Sequence, residues 1–97
     1  MKEEEYLSQL KQQRHMFEWC LLNIGVYSQD EIESASKRLF SYKPESDEYR
    51  WLVFHDDAWH WAMLEIKGEG YWREYPNLKD ESLEYKQEWE RYESQNT

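Results

Sequence analysis

Cysteine is nearly missing from this chain: Cys20 is the only one in 97 residues. An internal disulfide and a cysteine metal cage are therefore excluded. Cys20 lies in the apolar run Trp19-Cys20-Leu21-Leu22 and reads as a core filler. Glycine and proline are also scarce, with 3 and 2 residues. No phosphate-binding loop can be built from so few glycines. No apolar stretch approaches the roughly 18 residues of a membrane span. The acidic start Met1-Lys2-Glu3-Glu4-Glu5 lacks an apolar run followed by small residues, so no signal peptide is expected. A cytoplasmic setting follows as the expectation.

Positive charge is in deficit. Lys and Arg number 12 against 21 Asp and Glu, a formal net charge of -9. The excess is even along the chain: residues 1–48 hold 10 acids and 6 bases, residues 49–97 hold 11 and 6. There is no acidic tail and no basic arm. Direct nucleic-acid binding and anionic membranes are disfavoured, because phosphates would be repelled.

Aromatic residues, by contrast, are plentiful, with 6 Trp, 8 Tyr and 3 Phe. The mean hydropathy of -1.17 is low enough to suggest disorder, but disordered chains are poor in aromatics. One folded domain over residues 1–97 with a very polar surface is expected. A chain of this mass exposes about 6,000 Å² when folded. That leaves one modest core and little room for a deep pocket.

Hydrophobic spacing predicts a first helix from about residue 3 to Ile24, with Leu7, Leu10, Phe17, Leu21 and Ile24 on one face. The stripe is interrupted at Gln13 and Arg14, and Gly25 suits a left-handed helix end. Ser28-Gln29-Asp30-Glu31 is a capping box that starts a second helix, with Ile32, Ala35, Leu39 and Phe40 on its buried face. That helix should stop near Tyr42, ahead of Pro44.

Residues 49–55 and 59–67 are rich in β-formers and read as a hairpin closed at Asp57-Ala58. In that register Leu52 faces Met63, Phe54 faces Trp61 and Arg50 faces Glu65. Tyr71 to Tyr75 reads as a third strand, extending an Arg50–Glu65–Arg73 ladder. Leu78, Ser82, Tyr85, Trp89 and Tyr92 form the stripe of a last helix. The expected fold is therefore α+β: two N-terminal helices, a three-stranded antiparallel meander and one C-terminal helix, in the order α-α-β-β-β-α.

No serine sits in a nucleophile-elbow sequence. Paired carboxylates occur, but acid–base work also needs a cleft and a raised pKa. No enzyme activity and no cofactor are expected. His55 and His60 flank the expected hairpin tip with Asp56 and Asp57 between them, which raises a metal or small-molecule site there. Structural and catalytic metal sites need three or four well-set ligands, so two solvated histidines are the simpler reading.

Six tryptophans exceed what so small a core comfortably buries, and Trp and Tyr are enriched at interface hot spots. The expected function is accordingly a non-catalytic acidic protein-binding module. It would be a stoichiometric inhibitor, of immunity or antitoxin type, that neutralises a basic protein such as a nuclease. The composition also places it beside nucleic-acid mimics. The residues expected at the partner surface are Trp51, Asp56, Asp57, Trp59, Trp61, Trp72, Glu74, Asp80, Glu81, Glu84 and Glu88. The alternative is a small homodimeric structural or regulatory protein, paired through the face carrying Leu52, Phe54, Trp61 and Met63 or through the edge strand Tyr71–Tyr75.

Overall fold

A computed structural model describes residues 2–96. Among these residues five α-helices make up the regular structure: α1 Lys2–Asn23, α2 Gln29–Leu39, α3 Ala58–Lys67, α4 Tyr71–Glu74 and α5 Leu83–Gln95. Two single turns of 3₁₀ helix, Leu52–Phe54 and Pro76–Leu78, lie in the connections. Among the described residues there is no strand. The expected β-meander, and with it the α+β class, is overturned.

The central element is α1, against which α2, α3 and α5 all pack. Glu3, Glu4 and Glu5 occupy its first turn, where the helix dipole favours negative charge. Its buried face runs Tyr6, Leu10, Gln13, Phe17, Cys20 and Leu21, the spacing of one helical stripe. Tyr6 takes the place expected for Leu7, which is exposed. Gln13 does not interrupt the face: it is buried, and its Oε1 accepts the Ala58 N–H at 2.8 Å. One polar residue inside an apolar stripe thus ties α1 to the start of α3. Each fully buried large side chain on this face contributes about 1.5–3 kcal/mol.

The helix α2 begins at the predicted capping box. Ser28 Oγ accepts from the Glu31 N–H at 3.2 Å, and the Ser28 N–H donates to Glu31 Oε1 at 2.8 Å. Gly25 serves a different purpose from the left-handed end foreseen for it. Positive φ occurs only at Gly68 and Gly70 among the described residues. A Cβ at Gly25 would meet the Tyr27 ring at 2.6 Å, so the glycine permits a close approach. That ring is held in place by its hydroxyl, which donates to the Glu65 carbonyl oxygen at 3.0 Å.

The expected hairpin is replaced by the 3₁₀ turn and α3. Ala58, Trp59, Ala62 and Met63 are buried, the i, i+1, i+4, i+5 pattern of a helix rather than alternation. The residues taken for a hairpin turn are a helix start: Asp57 is the N-cap, with Oδ2 accepting from the Trp59 N–H at 3.0 Å. The third strand is replaced by the short α4 and the turn opened by Pro76. The Arg50–Glu65–Arg73 ladder does not exist. Arg50 pairs with Glu3 at 2.8 Å and Glu65 with Arg38 at 3.0 Å, while Arg73 lies near the Trp72 ring. The last helix starts at Leu83 with Ser82 as its N-cap, five residues later than the apolar stripe suggests. Its predicted face is correct, with Tyr85 buried and Trp89 packed against the core.

The proposed dimer face is dispersed too. Met63 is buried, Phe54 and Trp61 are half-buried, and only Leu52 is exposed. Among the described residues no helix is long and apolar enough to cross a membrane.

Candidate functional site

The residues expected at the partner surface divide among several places. Asp56 and Asp57 stand immediately before α3, and Asp80 and Glu81 lie in the linker before α5. These four acids, with Trp59, His60, Tyr71, Lys79 and Lys86, line one open cleft of about 400 Å³. A neighbouring cleft of about 420 Å³ shares Asp57, Glu81 and Lys86 and continues along α5 past Leu83, Tyr85 and Trp89.

At the centre is a hydrogen-bonded group joining three segments. Asp57 Oδ2 caps α3 through the Trp59 N–H and accepts the Tyr85 hydroxyl at 2.6 Å. Tyr85 is buried and ringed by Trp19, Trp59 and Trp89, with centroids 6.2, 5.3 and 6.4 Å away. Burial, and then the bond to the Asp57 carboxylate, push its phenol far up. Glu81 shares a hydrogen bond with Asp57. Burial first, then that bond and the charge of Asp57, push the Glu81 carboxyl up to about 7. Two neighbouring carboxyl groups do not both ionise freely, and the charge of Asp57 adds to the effect of burial on Glu81.

No protein-family model, no curated protein and no solved structure matches this chain.

Its chemistry therefore has to be read from the side chains themselves. The cleft can hold and release a proton at Glu81, and it mixes four acids with two lysines. Ser82, next to Glu81 in the chain, is committed to capping α5, with Oγ accepting from the Tyr85 N–H at 3.1 Å. Cys20 is buried, and burial followed by the charges of Asp57 and Glu81 pushes its thiol up. That thiol is inert packing, as its apolar neighbours suggest. The His55/His60 tip is dissolved by the helix: His55 follows the 3₁₀ turn, exposed. His60 sits on α3 with Nδ1 3.0 Å from the Tyr71 hydroxyl. Among the described residues no group of three or more His, Cys, Asp or Glu is placed to hold a metal ion.

Of the remaining predicted residues, Trp51, Trp61, Trp72, Glu74, Glu84 and Glu88 do not line the cleft. Trp59 belongs to both the cleft wall and the core, its Nε1–H donating to the Leu78 carbonyl at 2.8 Å. Trp61 donates to the Val53 carbonyl at 2.9 Å. Trp72 is half-buried beside Tyr71 and His60, Glu74 is exposed at the end of α4, and Glu84 is exposed on α5. Glu88 is committed elsewhere. It bonds Arg91 at 2.6 Å and His15 at 2.6 Å, and Arg91 foremost holds its carboxyl down at about 2.

Trp51 lies apart from all of these, on the connection between α2 and α3. It sits edge-on to Tyr6 at 5.5 Å and to Phe54 at 5.7 Å, and it remains exposed. Beneath it is a buried Arg50, only 3% exposed. The guanidinium lies 4.1 Å over the Tyr6 ring and donates to Glu3 Oε1 at 2.8 Å. Arg50 foremost, and then the Tyr42 hydroxyl, hold the Glu3 carboxyl below its usual range. Sequence reasoning missed Arg50, Tyr85 and Gln13, which appear there as a strand residue, a stripe member and a break. The legible signals were the N-cap potentials of Asp57 and Ser82.

The comparison with nucleic-acid mimics is overturned by the all-helical, strand-free architecture of the described residues. Glu3, Glu65 and Glu88 are paired with Arg50, Arg38 and Arg91 rather than displayed as a row of free charges.

Proposed function

We propose that this chain is a non-catalytic acidic protein-binding module that neutralises a basic protein, a nuclease being one suitable class. The observation that carries the reading is the uncompensated charge of -9 on a surface where Tyr42, Tyr49, Trp51 and Tyr75 stay exposed among the acids. Acid groups speed the encounter with a cationic surface, and aromatic anchors slow dissociation. The engagement of Ser82 and Cys20 in structure supports a role without chemistry of its own. A lone, buried cysteine supports a cytoplasmic setting.

The test is affinity capture from the native host's lysate, followed by kinetics with the basic protein recovered. Between about 20 mM and about 150 mM salt the association rate should fall by about tenfold or more, with dissociation changing less. An association rate that ignores salt overturns the reading. Recovery of the bait alone, together with sedimentation as a dimer, favours self-association instead.

A further inference from the structure

We propose, resting on the acidic-module reading, that the connection from Tyr42 to Leu52 is the docking surface. It receives an arginine-bearing apolar segment of the partner, with the cation over the exposed Tyr49 ring and the apolar side chains beside Leu52.

Among the described residues the exposed large apolar side chains concentrate here: Tyr42 is 52% exposed, Tyr49 65%, Trp51 40% and Leu52 63%. The backbone explains how Tyr49 and Leu52 come together. The Leu52 N–H donates to the Tyr49 carbonyl at 3.0 Å, and the Phe54 N–H to the Trp51 carbonyl at 3.0 Å. In such tight turns residues three apart eclipse one another. Trp51 and Phe54 therefore share the row that rests on Tyr6, while Tyr49 and Leu52 share a second row in water.

The segment is irregular yet anchored. Arg50 fastens it from below to Glu3 and, at 3.3 Å, to the Lys43 carbonyl. The Lys43 N–H donates to the Tyr6 hydroxyl at 3.0 Å. A surface ordered before binding loses little freedom on binding.

Charge selects the occupant. Glu45 and Glu48 are exposed on this stretch and Asp47 is half-exposed. Arg50 is buried and already neutralised by Glu3, leaving Lys43 as its exposed cation. A second copy of the chain, meeting it across a two-fold axis, would set the same acids against one another. A cationic partner meets acids at the rim and π faces within it. Within this molecule aromatic rings already take cations in this manner: Arg50 lies over Tyr6, and Lys67 Nζ is 4.7 Å from the Tyr75 ring centre.

The test uses the full chain labelled with ¹⁵N and a short blocked peptide alternating leucine and arginine. Saturable shifts at the amides of residues 47–54 and at the Trp51 indole N–H are expected. The double variant Tyr49→Ser/Leu52→Ser removes two side chains that stand in water, and it should weaken peptide binding by about tenfold or more. Its unchanged circular dichroism and amide dispersion would show that folding is intact. The same peptide with citrulline for arginine should lose most of its affinity. Saturable binding centred on the Asp56–Glu81 cleft would overturn this location while leaving the acidic-module reading in place. Equal binding of the citrulline peptide would overturn the cationic occupant. Loop shifts that follow protein concentration without peptide would assign the surface to self-association and overturn the proposal. No saturable binding at low salt overturns the docking surface, and the wider reading is then judged by the capture experiment alone.

Discussion

Two polar groups hold the irregular connections of this chain to its helices, and they rest on opposite electrostatics. Under the 42–54 connection, a buried cation meets an anion and an aromatic face: Arg50, Glu3 and Tyr6. Before α3 and α5, two carboxyl groups adjoin: Asp57, which accepts the Tyr85 hydroxyl, and Glu81, which burial and then Asp57 push up to about 7. The first arrangement keeps its charges across the neutral range, because each ion stabilises the other. The second is poised to change charge within that range. One anchor is therefore fixed and the other adjustable, although both secure a loop to the same hydrophobic core.

The comparison breaks most sharply at Arg50. Arg50→Ala leaves Glu3 without its partner and opens the space under Tyr6 and Trp51. Arg50 is the buried member of the pair, Glu3 being 38% exposed, and its loss removes packing as well as the ion pair, so a fall in Tm of more than about 10 °C is expected for a chain of this size. Hydrogen exchange should show protection lost first at the amides of residues 42–54. An unchanged melting curve would mean that Arg50 anchors nothing.

Next in size is Tyr85→Phe, which keeps the ring among Trp19, Trp59 and Trp89 and removes only the 2.6 Å bond to Asp57. A hydrogen bond to a charged group contributes about 1.5–3 kcal/mol, so chemical denaturation should detect a loss of that order. A loss below about 0.5 kcal/mol would show that Asp57 is held without help from the Tyr85 hydroxyl.

The two anchors were unequally legible in the sequence. The ends of α1 and the capping box of α2 were readable because their signals are local: spacing, Ser28 and Glu31. The stretch from Tyr49 to Lys67 was misread because Trp, Tyr, Val and Ile favour strands in isolation. Alternation and helical spacing also compete in a segment with aromatics on both sides. Trp59, Ala62 and Met63 meet α1 only in the folded chain, and that contact settles the choice. Arg50 read as the charged member of a cross-strand pair because its true partner, Glu3, is 47 positions away. Asp57 and Glu81 were both named as surface acids. Their proximity to each other depends on the return of the chain through α4, which no local pattern announces.

A smaller effect sharpens the second anchor. Ser82→Ala removes the α5 cap, a change that typically costs about 1 kcal/mol. Ser28→Ala at the remote α2 cap should cost a similar amount. The pair differ in coupling: Ser82→Ala combined with Tyr85→Phe should be non-additive, because Ser82 bonds the amide of Tyr85 itself. Ser28→Ala combined with Tyr85→Phe should add. Additivity in both doubles would mean that the α5 start and the Asp57 network are independent.

The smallest effect addresses the adjustable anchor directly. Glu81 is raised in the folded chain to about 7 from an ordinary 4.5, so the folded state binds its proton more tightly than the unfolded state does. Its contribution is fully present below pH 4.5 and is lost as pH climbs through 7. Asp57 and Asp80 oppose its ionisation and Lys86 favours it. Glu88 runs the other way: its carboxyl is lowered to about 2, so its contribution is present above pH 4.5 and is lost as pH falls toward 2. Because Glu81 is partly solvated, screening keeps its effect modest, and Tm should decline by about 2–4 °C between about pH 5 and about pH 8. Glu81→Gln, which stays neutral, should flatten that decline and leave the acid limb set by Glu88 in place. An unaltered slope in the variant would remove Glu81 as the titrating group and make the second anchor as fixed as the first.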